Sequence, residues 1–198
     1  MEYQNTIRES QRALNIEGQT LYEWIQTEFD INVYIKLFKQ IKLVLDYVYK
    51  KYKYIHNDLT PWNIILKKQD KEIEIKYGDK SIKTDIICVF IDYGKSGCMV
   101  DKKNWYIDRD VGRDVNRDVN RDVDMMLLLY KSVSNILTKY RVNNYQKDII
   151  LKMFGNIFSN LYKLKEYLGK YSNYDYILFG TKTNVETTII KQLIKFIN

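Results

Sequence analysis

The sequence predicts an α+β fold that is mostly α-helical, with a small β-hairpin region in the first half of the chain. Apolar residues recur at spacings of three and four over several long segments, which is typical of amphipathic helices. Two short runs rich in Ile and Val have the length of strands and polar flanks. The chain has 198 residues, of which 45% are apolar, so we expect residues 1–198 to form a single domain with one core.

The first two predicted elements are helices. Residues 20–26 have apolar side chains at i, i+3 and i+4, and Thr20 is a suitable N-cap residue. From about Ile31 to Lys53 the apolar positions again recur at spacings of three and four, with lysines on the opposite face. This segment predicts a long amphipathic helix.

Strands are predicted directly after the long helix. Asn63–Lys67 and Ile86–Ile91 are the short apolar runs of strand length. The segment between them, Gln69–Lys83, is polar except in its middle, where apolar and polar residues alternate. We expect this segment to form an exposed hairpin arm.

A tetrapeptide repeat covers Arg109–Asp124 and reads R-D-V-G, R-D-V-N, R-D-V-N, R-D-V-D. On a helix this period would bring Arg and Asp into i, i+4 pairs and extend the helix that follows. The alternative is a recent duplication of a short coding unit, solvated and without function. Helices are then predicted at Met125–Leu137, Tyr145–Phe158 and Val185–Ile197, so that residues 138–198 are helical.

Charge and composition limit the class of protein. There are 32 Lys and Arg against 25 Asp and Glu, and the net charge of +7 favours phosphates, RNA or acidic surfaces as partners. Cys88 and Cys98 are too few for a disulfide framework or a zinc site. The polar N-terminus lacks a signal-peptide core, and no apolar run reaches the roughly 20 residues of a membrane span. We therefore expect an intracellular, cytoplasmic protein with no membrane partner.

Two motifs carry the candidate chemistry. The one histidine, His56, lies in H-N-D-L-T-P-W-N, together with Asp58 and Asn63, directly before the first predicted strand. The second strand ends in V-F-I-D-Y-G, which contains Asp92 and Gly94. The alternative interpretation is a pair of turn-forming loops without chemistry.

These residue types suit phosphoryl transfer. In this reaction the protein positions the nucleophile, binds the phosphates and provides positive charge that neutralises them. Asp58 would accept the proton of an attacking hydroxyl or orient it. Asn63 and Asp92 carry the hard oxygen ligands that Mg²⁺ prefers together with phosphate oxygens. Gly94 would let the backbone turn sharply beside the metal.

The two motifs resemble H-x-D-L-x-x-x-N and D-F-G of the protein-kinase-like superfamily, with Tyr in place of Phe. The resemblance runs from about Gly18 to about Leu137 and is specific to the C-terminal, mostly helical lobe. It implies a phosphotransferase that uses ATP and Mg²⁺, with the catalytic and metal-binding loops carried by the hairpin region. It implies His56, Asp58 and Asn63 as catalytic residues. It implies Asn63, Asp92 and Gly94 as cofactor-binding residues, with Asn63 and Asp92 as the metal ligands. Asp124, or alternatively Asp122, would be the brace of the catalytic loop.

The sequence departs from that family in three places. Thr60 lies where Ser/Thr kinases usually place a phosphate-contacting Lys, and the loop is similar instead to that of aminoglycoside and choline kinase-like phosphotransferases and of small atypical kinases linked to tRNA modification. No A-P-E follows Gly94, so a peptide-docking activation segment is not expected. The residues before His56 contain no Gly-rich loop or V-A-I-K lysine and leave too little room for a nucleotide-binding lobe. We expect that lobe to lie on a partner chain or in another reading frame, or to be lost.

Three functions follow as expectations. The first is an atypical, Ser/Thr-protein-kinase-like enzyme that transfers the γ-phosphate of ATP to a hydroxyl of a protein or small molecule. The second is a catalytically inactive kinase-like fragment or pseudokinase that acts as a partner-binding scaffold, as the missing lobe suggests. The third is RNA binding, which depends on the charge of +7 and the scattered tyrosines.

Overall fold

The computed structural model describes residues 17–100, 103–106, 122–170 and 184–197. These residues form helices and two antiparallel sheets. The α+β, mostly helical class predicted from the sequence is confirmed. In chain order the described elements are β1 (Gln19–Thr20), α1 (Leu21–Thr27), α2 (Ile31–Tyr52), β2 (Ile64–Tyr77), β3 (Lys80–Phe90), β4 (Gly97–Val100), β5 (Lys103–Tyr106), α3 (Asp122–Lys139), α4 (Asn144–Met153), α5 (Leu161–Lys170) and α6 (Asn184–Ile197).

Helices α1 and α2 begin at well-formed caps. The Thr20 hydroxyl accepts the backbone N–H of Glu23, and the Glu23 carboxylate accepts the N–H of Thr20, which forms a capping box. At the start of α2, the Asp30 carboxylate accepts two N–H groups of the first turn. The helix ends at Lys53, which has a left-handed φ of 51°. Both predicted helices are confirmed to within one residue at each end.

The predicted exposed hairpin arm is also confirmed. β2 and β3 are antiparallel from Ile64 opposite Phe90 to the turn at Gly78, where φ is 65°. The polar arm pairs with itself and continues the two predicted strands, with a register shift between Lys68 and Ile73. β1 pairs with the other edge of β2, so the sheet order is β1-β2-β3.

Several elements differ from the sequence prediction. The pair of strands β4 and β5 was not predicted, since each strand is short and their pattern is not distinctive. Helix α5 lies within the segment 138–198 that was predicted to be helical, but it was not predicted as a separate element. The predicted helix Tyr145–Phe158 is wrong at its end: α4 stops at Met153 because Gly155 and Asn156 take left-handed φ angles of 68° and 54°. Of the repeat Arg109–Asp124, residues 109–121 lie outside the described part of the chain.

Helix α3 is the centre of the core. Its first turns are apolar on nearly every side, and all residues from Met125 to Tyr130 are buried. It packs against α1 and α5, and a hydrogen bond of 2.5 Å joins Ser132 Oγ to Tyr34 Oη on α2. This position fixes Asp124 at the start of α3 beneath the loop that follows α2. None of the helices in the described part of the chain has both the length and the apolar character needed to cross a bilayer.

Gln40 of α2 holds strand β3 on the helix. Its buried side chain donates from Nε2 to the Ile86 carbonyl at 3.0 Å, and its Oε1 accepts the N–H of Cys88 at 2.5 Å. These bonds satisfy backbone groups on the outer edge of β3, which has no strand partner on that side among the described residues. The strand that leads to Asp92 is thereby anchored to α2.

We predict that Gln40→Leu lowers the free energy of unfolding by about 2 to 4 kcal/mol, because it leaves buried backbone groups of β3 without partners. Denaturant unfolding monitored by circular dichroism measures this loss. The matched control is Gln26→Leu in α1, which we expect to change the stability by less than about 0.5 kcal/mol. Equal losses in the two variants would show that Gln40 does not anchor the strand.

Candidate functional site

The sequence motifs come together in two neighbouring loops, the His56 loop (residues 55–60) and the Asp92 loop (residues 91–96). Ile55 and Gly97 exchange two backbone hydrogen bonds of 2.8 and 2.9 Å, which join the start of the first loop to the end of the second. Asn57 takes a left-handed φ of 63° and donates from Nδ2 to the Lys95 carbonyl at 3.0 Å. The two loops therefore form one hydrogen-bonded unit.

Asp124 supports the His56 loop from below. One carboxylate oxygen accepts the N–H of His56 at 2.7 Å and the other accepts the N–H of Asn57 at 2.9 Å. The side chain is 1% exposed, and burial raises its pKa to about 7 although the two N–H donors act in the opposite direction. Of the two brace candidates, Asp124 is the one that makes these contacts; the side chain of Asp122 lies outside the described part.

The raised pKa of Asp124 predicts a pH dependence of stability. The folded protein binds this proton more tightly than the unfolded chain, in which an Asp titrates near pH 4. The free energy of unfolding should therefore fall as the pH rises from about 4 to about 7, and then level off.

We predict that, between pH 5 and pH 8, the wild type loses about 2 to 3 kcal/mol relative to Asp124→Asn, which has no titrating group at this position. Denaturant unfolding of both proteins over this range provides the measurement. Parallel curves for the two proteins would contradict the prediction.

His56 connects the two loops from inside the protein. Its side chain is 0% exposed, and Nε2 donates to the Ile91 carbonyl at 2.9 Å, while the buried Nδ1 has no partner among the described residues. Burial lowers the pKa of the imidazole, so it is neutral at pH 7. A side chain without exposed surface does not contact a substrate. His56, predicted as catalytic, is thus buried, and its hydrogen bond connects the two loops.

Asp58 is the partly exposed carboxylate of the His56 loop, and it is paired with a lysine. Its Oδ2 lies 3.1 Å from Nζ of Lys95, and its side chain is 17% exposed. Its backbone carbonyl accepts the N–H of Thr60 and the Nδ2 group of Asn63, both at 2.8 Å. The turn that these bonds make holds the carboxylate at a fixed place with access to solvent.

Asn63 and Asp92 lie at the paired ends of β2 and β3. The N–H of Ile91 donates to the Asn63 carbonyl at 3.0 Å, which continues the strand pairing up to the residue before Asp92. The side-chain nitrogen of Asn63 is committed to Asp58, so its oxygen is the atom that remains for a ligand. Asp92 is exposed and takes a left-handed conformation, with φ 60° and ψ 66°.

The role predicted for Gly94 needs a correction. The residue with the left-handed φ is Asp92, whereas Gly94 lies within a 3₁₀ turn, Tyr93–Lys95, and its φ is outside the left-handed region. A Cβ atom at Gly94 would lie 3.5 Å from Oδ1 of Asp92, which is an ordinary contact. The glycine thus keeps space open beside the Asp92 carboxylate but is not required for the turn.

The donor atoms at Asp92 and Asn63 are of the kind that Mg²⁺ takes. One carboxylate and one amide oxygen are hard ligands, which Mg²⁺ binds alongside water and phosphate oxygens. A search of the described residues finds no group of three or more His, Cys, Asp or Glu side chains arranged as a metal site. Asp92 and Asn63 are the side chains that would hold Mg²⁺ here.

Lys95 and Asn57 are the site residues that sequence reasoning did not single out. Asn57 is not distinguishable from other turn residues in the sequence, because its role comes from its positive φ and its bond to Lys95. For Lys95 a signal existed, since it is the cation directly after the D-Y-G motif.

No protein-family model matches the sequence. The chain is 38% identical over 95 residues to "Uncharacterized protein 179R" of Invertebrate iridescent virus 6. The similar segment covers 41% of this chain and 8% of the viral protein, so the chain matches a small part of a much longer protein. This similarity does not assign a family or an activity.

Proposed function

We propose that this chain is an ATP- and Mg²⁺-dependent phosphotransferase of the protein-kinase-like type, which transfers the γ-phosphoryl group to a hydroxyl. The observation that carries the proposal is the arrangement of Asp58, Asn63 and Asp92. A partly exposed carboxylate lies at the end of one loop, and two oxygen ligands lie at the adjoining ends of β2 and β3.

Each of these side chains has a distinct role in the proposed reaction. Asp58 accepts a hydrogen bond from the acceptor hydroxyl and orients its oxygen toward the phosphorus. Asn63 and Asp92 hold Mg²⁺, which offsets the negative charge of the phosphates. His56 links the two loops through its bond to Ile91, and Asp124 holds the His56 loop at the start of α3. Such positioning supplies much of the rate in this chemistry.

The sequence of the His56 loop bears on the acceptor. Thr60 and the P-W-N sequence after it resemble the loops of small-molecule kinases more than those of peptide kinases. A small hydroxyl compound, such as an aminoglycoside or choline, and a protein hydroxyl are therefore both acceptors to test.

The proposal is tested by ADP release from ATP with the purified full chain, alone and with candidate acceptors, in Mg²⁺ and in EDTA. We expect turnover that requires Mg²⁺ and increases with the correct acceptor. A folded protein that neither turns over ATP nor gains thermal stability from Mg²⁺ and ATP would contradict it. That result would favour the non-catalytic scaffold.

A further inference from the structure

Lys95 places a positive charge directly beside the proposed base. Its Nζ lies 3.1 Å from Oδ2 of Asp58, and its side chain is 43% exposed, whereas that of Asp58 is 17% exposed. The aliphatic stem of Lys95 therefore reaches from solvent to a mostly buried carboxylate. The ammonium side of this ion pair is therefore its more exposed side.

The backbone of Lys95 is fixed with respect to both loops. It ends the 3₁₀ turn Tyr93–Lys95, which is closed by a hydrogen bond of 2.9 Å from the N–H of Ser96 to the Tyr93 carbonyl. Its own carbonyl accepts Nδ2 of Asn57 at 3.0 Å. The ammonium group thus extends from an anchored point, and only the side chain has to move when a ligand binds.

The His56 loop itself supplies no positive charge. Residues 55–63 contain no Lys or Arg, His56 is neutral because burial lowers its pKa, and Thr60 is a buried, uncharged residue. Phosphoryl transfer places negative charge on the oxygens of the transferred group, which a nearby cation stabilises. Lys95 is the lysine that this structure places beside Asp58.

We propose that Lys95 is a catalytic residue that binds the transferred phosphoryl group, in addition to pairing with Asp58 before the nucleotide binds. This inference rests on the proposed function. An acceptor oxygen would lie about 3 Å from Asp58 and about 3 to 3.5 Å from the phosphorus. An ammonium group already in contact with Asp58 therefore needs only a change in its side-chain torsions to reach the phosphoryl oxygens.

In the proposed step the acceptor oxygen forms its bond to phosphorus and gives its proton to Asp58, while the bond from phosphorus to the ADP oxygen breaks and ADP keeps the electron pair. Negative charge develops on the phosphoryl oxygens during this step, and the Lys95 ammonium group stabilises it.

The test compares Lys95→Met, which removes the charge, with Lys95→Arg, which retains it, and with Lys165→Met at an exposed position of α5. Calorimetry measures the affinity of each protein for Mg²⁺·ADP alone and for Mg²⁺·ADP with aluminium fluoride, an analogue of the transferred group. ATP turnover and the melting temperature are measured in parallel.

For Lys95→Met we expect binding of Mg²⁺·ADP within about threefold of wild type, and binding of the aluminium fluoride complex and turnover both reduced by about 10²- to 10³-fold. Lys95→Arg should recover most of both, and Lys165→Met should change neither. If Lys95→Met binds the aluminium fluoride complex as tightly as wild type, the role of Lys95 is overturned while the proposed function stands. If the wild type neither binds Mg²⁺·ADP nor turns over ATP, the proposed function fails and this inference fails with it.

Discussion

Replacing Asp58 by Asn is expected to lower the turnover of ATP by about 10²- to 10⁴-fold, because the amide cannot accept the proton of the acceptor hydroxyl. The substitution keeps the size of the side chain and leaves the backbone carbonyl that binds Thr60 and Asn63. It removes the ion pair with Lys95, in which one partner is 43% exposed, so the cost in stability should be small.

Initial rates of ADP release, together with the affinity for Mg²⁺·ATP, separate the chemical step from binding. We expect the affinity of Asp58→Asn to remain within a few-fold of wild type. Asp85→Asn, at an exposed position on β3, is the matched control and should be fully active. Wild-type rates in Asp58→Asn would remove Asp58 from the mechanism.

Replacing Asp92 by Asn is expected to raise the Mg²⁺ concentration needed for half-maximal turnover by about 10²-fold or more, because a neutral amide is a much weaker ligand than a carboxylate. Asn is the right replacement, since Asp92 has a φ of 60° and Asn tolerates this left-handed conformation, whereas most residues do not. The melting temperature should therefore stay close to that of wild type.

The measurement is a titration of turnover with Mg²⁺ at fixed ATP. Asp79→Asn, in the exposed turn between β2 and β3, serves as the control because it makes the same chemical change away from the site. A parallel decrease in both variants would indicate an effect of overall charge. An unchanged Mg²⁺ requirement in Asp92→Asn would show that this carboxylate does not bind the metal.

Local patterns were enough to predict the elements that position the site. Helix α2 has an amphipathic repeat along its length, and its capping residue Asp30 directly precedes it in sequence. The strands of the hairpin region were predicted at their apolar ends, where Ile64 pairs with Phe90. The strand bounds and the register of the polar arm depend on cross-strand pairing, which the apolar pattern does not specify.

Contacts between distant residues were harder to predict. The spacing of His56, Asp58 and Asn63 indicated a loop with chemistry, but not that His56 would be buried and bonded to Ile91. The left-handed conformation of Asp92 is likewise set by its surroundings, since an Asp before Tyr and Gly has no strong local preference for it. Tertiary packing decided these details.

The most direct test of the account is NMR of the isotope-labelled chain during a titration with ATP and paramagnetic Mn²⁺ in place of Mg²⁺. The proposal predicts that the amide signals of the His56 loop and the Asp92 loop broaden first, that those of α6 stay sharp, and that Asp92→Asn greatly weakens the effect. Mn²⁺ without ATP should broaden these signals much less, because the metal site is shared with the nucleotide. Broadening that is absent, uniform over the protein, or unchanged in Asp92→Asn would contradict a metal- and nucleotide-binding site at these two loops.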